Sequence, residues 1–445
     1  ASIQRLKLGK KTMSAGSQSP HWTSTVKTVV RLMRRGCGRW TGPPWYGAAM
    51  TLMNSLVARW RAWLVVVPLM LMAACGGGGS GEPEPPVVVE PDGPGRTLAV
   101  TPLRTFTVAE VSAALQALGD QAPAVTVRHA VQAWRVDYLT LDADGRQQRA
   151  SGLLAVPLKP AGRRSPVLSY QHATIFLDAE APTNALSPGE PPIVLAAAGY
   201  FVAASDYLGY GASRGFPHPY LLSAPSASAV LDLLTAARNW RLRNGVADNG
   251  QLFLAGYSEG GYVTVAAHRA LQAGNRADRN DVVAVIPGAG PYHLAATLDG
   301  LLEWVRDEYP LLAALIDPGF LRRLGDDIRD EVRDLLVGQL LPDNADVAFD
   351  TRFIDPYLAD DRDAIERQSN VHDWAPAAPV RLFHGRDDLT VPYVSGSSTL
   401  QAMRARGAAD VTLTDCAAAP AGHLECVPGY WRHLMGVLDA RARDL

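Results

Sequence analysis

The chain predicts an α/β architecture: a mostly parallel sheet with helices on both faces and a helical insertion above it. Three observations carry that expectation. From about residue 97 onward, short and wholly apolar strand-like runs alternate with longer helical patterns, as they do where a sheet is covered on both sides. One long segment, 292–374, breaks the alternation with charged helical sequence and no good strand. Finally, "QLFLAGYSEGGYVTVAAHRAL" at 251–271 runs from strand to helix and sets Ser258 among Gly256, Gly260 and Gly261.

The elements follow in order. Residues 1–49 hold nine Lys or Arg and no Asp or Glu, without sustained apolar periodicity, so no packed structure is expected there and they read as an upstream extension. Residues 50–75 then carry Arg59 and Arg61, an apolar run from Trp63 to Met72, and Ala73 and Ala74 before Cys75. That order resembles a bacterial lipoprotein signal. The resemblance implies that Cys75 is lipidated and that the protein is exported and anchored in the cell envelope. The alternative, a buried or membrane-spanning helix, would need roughly 20 apolar residues to cross a bilayer. Residues 76–96, "GGGGSGEPEPPVVVEPDGPG" and the arginine after it, are Gly-rich and then Pro-rich and acidic, the composition of a tether.

The chain after Cys75 is acidic. Without the basic residues before Cys75, 31 Lys and Arg face 44 Asp and Glu, which argues against a nucleic-acid partner. Once Cys37 and a lipidated Cys75 are set aside, Cys416 and Cys426 remain as an even pair in an oxidising compartment. A disulfide is expected; two buried free thiols are the alternative. No zinc-ligand spacing surrounds them.

Within the body, 131–157 reads as two strands around Asp144-Gly145, a hairpin. Further strands are expected at 166–172, 200–207, 251–256, 282–290, 379–385 and 409–416. Helices are expected near 191–198, 222–243, 259–273, 393–406 and 428–443. The insertion at 292–374 sits where caps over active sites sit; an ordinary helical layer is the alternative.

The junction at 251–271 is shaped for a nucleophile. A strand ending at Gly256 and turning sharply into a helix at Glu259 leaves Ser258 at the apex. Glycines at 256 and 260 remove side chains that would collide in so tight a turn. The Glu259 backbone N–H, at the helix start, then points where an oxyanion would form.

Together with "SYQHAT", "SDYLGYGAS", "HPYLLSAPSASAVLDLL" and "HGRDDLTVP", this junction resembles the α/β-hydrolase superfamily, and more narrowly the secretory lipase family and its bacterial relatives. The likeness covers most of 130–440. It implies an α/β-hydrolase fold and a serine hydrolase cleaving carboxylic esters, with a small-molecule or lipid ester as substrate. The family order is serine, acid, histidine; likeness to the family's HGxxDxxxP pattern implies Asp388 in "HGRDDLTVP", with Asp387 as its neighbouring competitor, and the loop before the last helix implies His423 in "APAGHLECVPGYW". Cys416 and Cys426 bracket that histidine, so a bridge would also restrict the loop that holds it. His433, within the last helix, and His384, within the acid motif, are expected to be structural. The second oxyanion donor is expected at Ala173, where relatives often carry glycine. Tyr257 is expected near the substrate, and Asp206 and Tyr207 are expected either to contact it or to tie their own loop. This chemistry needs no metal and no organic cofactor. A prolyl-oligopeptidase-like peptidase and a silent surface binding protein are the rival readings; no room exists for the propeller of the first, and a silent binder has no need of all three residues in order.

Overall fold

The computed structural model describes residues 89–119, 122–274, 276–308, 313 and 316–445. The upstream extension, the signal segment with Cys75, and residues 76–88 of the tether lie outside the described residues.

The hairpin forms as its turn chemistry requires. Strand β2 (Val131–Leu141) pairs antiparallel with β3 (Gln147–Pro157) in unbroken register, from Val131 opposite Pro157 to Leu141 opposite Gln147. The Asp142 carboxylate accepts the N–H groups of Asp144 and Arg146, each at 2.9 Å. Gly145 takes φ 74°, a left-handed conformation that costs a residue without Cβ little.

Outside the hairpin, β1 (Thr97–Phe106) adds an antiparallel edge to β2. Six more strands complete the sheet: β4 (Ser165–Gln171), β5 (Phe201–Ser205), β6 (Asp248–Tyr257), β7 (Val282–Gly288), β8 (Val380–His384) and β9 (Val411–Asp415). The nine strands lie in the order β1-β2-β3-β5-β4-β6-β7-β8-β9. From β5 to β9 every neighbour is parallel, whereas β3 meets β5 antiparallel. The chain order reverses at β4, which lies between β5 and β6, and ligand sites of open α/β sheets form at the carboxyl ends of strands beside such a reversal.

Burial explains why these strands read as apolar runs. All five residues of β5 are buried. Successive β6 residues alternate between two cores: Leu252 and Leu254 face one, Phe253 and Ala255 the other. The first core takes Leu233 of α3 (Ser223–Arg243) and Val263 of α4 (Glu259–Ala273). The second takes Val111 of α1 (Val108–Ala117), Ile193 of α2 (Pro191–Ala197) and Leu434 of α11 (Val427–Asp439). Each such side chain, wholly removed from water, contributes about 1.5–3 kcal/mol.

Two elements lie outside the expected set. The strand β1 is exposed along most of its length and contains Pro102, a composition that reads as an edge or as no strand at all. The helix α1 did carry a signal: Thr107 and Glu110 form a reciprocal capping box, the T-x-x-E pattern of a helix start.

Between β7 and β8 lie α5 (Leu294–Glu308), α6 (Pro318–Leu321), α7 (Asp326–Leu340), α8 (Asp355–Leu358) and α9 (Arg362–Gln368). The described residues of this segment include no strand beyond one isolated bridge, Phe349 opposite His218. The helix α10 (Val394–Ala405) follows β8. Among the described residues no helix is long and apolar enough to cross a membrane.

Candidate active site

Ser258 sits between β6 and α4 with φ 59° and ψ −124°. A residue bearing a Cβ holds such a conformation at a cost of about 1–3 kcal/mol, and only where its surroundings over-determine it. Here they do. The Ser258 N–H donates to the Gly288 carbonyl at 2.8 Å, and its own carbonyl accepts from the Tyr262 N–H at 3.1 Å. A Cβ on Gly256 would stand 2.7 Å from the Gln171 carbonyl oxygen, and one on Gly260 would run into that same oxygen. The elbow is therefore pressed against the end of β4, whose register with β6 places Gln171 beside Gly256.

His423 reaches this serine across 165 residues of sequence. Its Nε2 lies 2.9 Å from Ser258 Oγ and its Nδ1 2.6 Å from Asp388 Oδ2. A carboxylate oxygen can only accept, so Nδ1 carries the proton and Nε2 is left to accept from the serine hydroxyl. Asp388 is 4% exposed and His423 9%. The other Asp388 oxygen accepts the N–H groups of Thr390 and Val391 at 2.9 and 2.8 Å. Burial raises the Asp388 carboxyl, but hydrogen bonds and charge from His384 and His423 outweigh it and hold the group well below the usual carboxylate range.

Asp387 does something different. Its carboxylate accepts the Ala421 N–H at 2.8 Å, and its own N–H donates to the Ala421 carbonyl at 3.1 Å. It fastens the histidine loop to the acid loop. Cys416 and Cys426 are disulfide-bonded with Cα atoms 5.8 Å apart, closing that loop around His423. His384 bonds the Val391 carbonyl at 2.8 Å and His433 the Arg381 carbonyl at 3.2 Å.

The Glu259 amide is one of the N–H groups at a helix start that have no partner inside the helix. The Ala173 segment is shaped by its neighbours: the Tyr207 hydroxyl donates to the His172 carbonyl at 3.1 Å, and the two rings stack with centroids 4.0 Å apart. His172 Nδ1 donates to the Ala173 carbonyl at 2.7 Å. Burial above all holds the His172 imidazole below its ordinary pKa.

Three residues named for the substrate side have their polar groups bonded within the protein, which for Asp206 and Tyr207 is the loop-tying alternative. Asp206 is fully buried, and its carboxylate accepts from Ser151 Oγ at 2.5 Å, Thr183 Oγ1 at 2.6 Å and the Thr183 N–H at 2.9 Å. Tyr207 is 2% exposed and braces the His172 loop. The Tyr257 hydroxyl donates to the His423 carbonyl at 2.7 Å, so it holds the histidine rather than facing outward. The residues were legible, but a polar side chain beside a site reads the same whether it points in or out.

One pair has no counterpart among the sequence expectations. His218 Nε2 and Glu259 Oε1 lie 2.7 Å apart, both side chains 2% exposed. The available signal was the acidic residue directly after the serine, taken only for its backbone. Among the described residues no group of three His, Cys, Asp or Glu side chains is placed to hold a metal ion.

Comparison with known proteins bears on the fold and the family. The family model for secretory lipase matches residues 193–301. The chain is similar to a putative hydrolase from Legionella pneumophila subsp. pneumophila str. Philadelphia 1, with 24% identity over 77% of this chain and 97% of that one and a TM-score of 0.61. It is also similar to the rice cell wall degrading esterase LipA from Xanthomonas oryzae, with 25% identity over 78% of this chain and 98% of that one and a TM-score of 0.57. No curated protein matches the chain.

Proposed function

The chain is an α/β-hydrolase and a carboxylic ester hydrolase, and we propose that it works as a serine esterase or lipase through Ser258, His423 and Asp388. One observation carries the reading: a single imidazole is within hydrogen-bond reach of both a strained, elbow-mounted serine and a buried carboxylate. An alcohol is a weak nucleophile at neutral pH and needs a base. His423 takes the Ser258 proton as Oγ attacks the ester carbonyl, and Asp388 orients and stabilises the imidazolium. The N–H groups of Glu259 and Ala173 receive the oxyanion. Collapse expels the alcohol, which takes the proton from His423, and water then releases the acid by the same route.

The substrate is a carboxylic ester with an apolar acyl chain, accommodated beneath the 292–374 insertion acting as a cap. The secretory lipase match supports export. We assign the 50–75 segment as a lipoprotein signal and Cys75 as its lipidation site, so that 76–96 tethers the 97–445 body to the envelope.

The test is hydrolysis of nitrophenyl esters graded from acetyl to palmitoyl, beside aminoacyl and prolyl anilides, with Ser258→Ala as control. Ester turnover that falls at least about a thousandfold in the variant supports the reading. Turnover confined to the anilides would replace it with a peptidase.

A further inference from the structure

Glu259 presents a contradiction. Its backbone N–H is placed to stabilise a negative oxyanion, yet its side chain buries a carboxyl group on the same residue, and a carboxylate there would oppose the charge its own amide is meant to receive. His218 removes the conflict. Its Nδ1 lies 2.8 Å from the Leu208 carbonyl, which can only accept, so Nδ1 carries a proton. Nε2 therefore either donates to a Glu259 carboxylate or accepts from a protonated one. Either way the pair holds no net charge.

His218 is also tied to the segment between β7 and β8. Its N–H donates to the Ala348 carbonyl at 2.7 Å and its carbonyl accepts from the Asp350 N–H at 2.8 Å. The Phe349 ring packs on the imidazole edge to face, with centroids 5.3 Å apart. Gly209 lets the backbone come this close, since a Cβ there would lie 2.8 Å from His218 Cβ. A continuous chain of bonds thus runs from the insertion through His218 and the Glu259 side chain to the amide beside Ser258.

Resting on the serine-esterase reading, we infer that His218 and the Glu259 side chain form a positioning pair that couples the seating of the insertion to the oxyanion donor. The insertion clamps His218, His218 neutralises and fixes the Glu259 carboxyl, and the fixed side chain holds the amide in line with the reacting carbonyl. The two side chains bond each other and the Leu208 carbonyl, while the Ser258 hydroxyl bonds His423. The pair's effect is on the transition state, and so on kcat more than on KM.

The test uses the full chain, with competent sites counted by fluorophosphonate labelling of Ser258 so that rates refer to folded enzyme. Asp350 has φ −69°, which suits proline. Asp350→Pro removes the N–H that holds the His218 carbonyl, while Asp350→Ala loses the same carboxylate and keeps that N–H. The expected result is a kcat per labelled site about tenfold lower in the proline variant than in the alanine variant, with KM within about twofold. His218→Leu is expected to lower kcat per site about a hundredfold. The two Asp350 variants decide between coupling and no coupling whether or not His218→Leu folds, because both leave His218 and Glu259 in place. Equal kcat per site in the two Asp350 variants overturns the inference, as does a loss confined to KM. A wild-type protein that neither labels nor cleaves esters is a separate failure, of the serine reading itself.

Discussion

Ser258, His423 and Asp388 are joined by two side-chain hydrogen bonds that single substitutions can test. Asp388 faces His423 at 2.6 Å while Asp387 binds the Ala421 amide, so the two adjacent carboxylates part sharply under mutation. Asp388→Asn removes the charge that fixes the imidazole tautomer and is expected to lower kcat by about 10³–10⁴ with little change in KM. Asp387→Asn loosens a loop and is expected to lower kcat by no more than about tenfold. Steady-state ester kinetics on the two variants check this, and comparable losses would argue against Asp388 as the acid. In the sequence Asp388 was singled out only by resemblance to the family's HGxxDxxxP motif, which "HGRDDLTVP" matches, with Asp387 left as its competitor. The direction of Tyr257, Asp206 and Tyr207 was not legible: it depends on Ser151, Thr183 and the His423 carbonyl, partners far away in the chain.

At the scale of elements, the loop from β9 to α11 is the one whose shape the chemistry needs most. It carries His423 between two cysteines, closed by their bridge and pinned by Asp387 and by the Tyr257 hydroxyl. Cys426 is fully buried and Cys416 nearly so, so alanines in their place leave little polar mismatch. Cys416→Ala with Cys426→Ala is expected to cost roughly 2–3 kcal/mol of stability from the freed loop. The same double variant is expected to lower kcat several-fold through a less ordered imidazole. Thermal unfolding and esterase rates per labelled site measure the two separately; an unchanged kcat would make the bridge a purely structural device.

At the scale of the whole molecule, two buried histidines tie part of the stability to acid pH. His268 of α4 is 2% exposed, packed edge to face on Trp374, and burial alone lowers its pKa to about 4. His372 is lowered to about 4 by burial and then by His293, stacked on it at 3.8 Å. Below about pH 6.5 the unfolded chain binds these protons while the folded protein resists them until about pH 4. The stability these two histidines contribute is therefore complete above pH 6.5 and declines as the pH falls toward 4, by up to roughly 3 kcal/mol for His268. His268→Leu is expected to flatten the decline between pH 6.5 and 4, measured by denaturant unfolding across that range. A slope as steep as that of the wild type would mean that His268 already titrates normally in the fold.

What the sequence determined by itself is whatever short-range pattern dictates. Apolar runs and helical periodicity placed β2 to β9 and the helices around them, and the glycines around Ser258 announced a sharp strand-to-helix turn because no larger residue fits there. Tertiary structure alone decided the strand order, with β4 between β5 and β6, and so the meeting of the Gln171 to Ala173 segment with the elbow. It also decided that β1 joins an exposed edge and that a glutamate after the serine is buried against His218. Each of these is a contact between residues tens to hundreds of positions apart, whose strength depends on burial and partner geometry. Local sequence carries the capacity for such contacts, and only the folded chain selects among them.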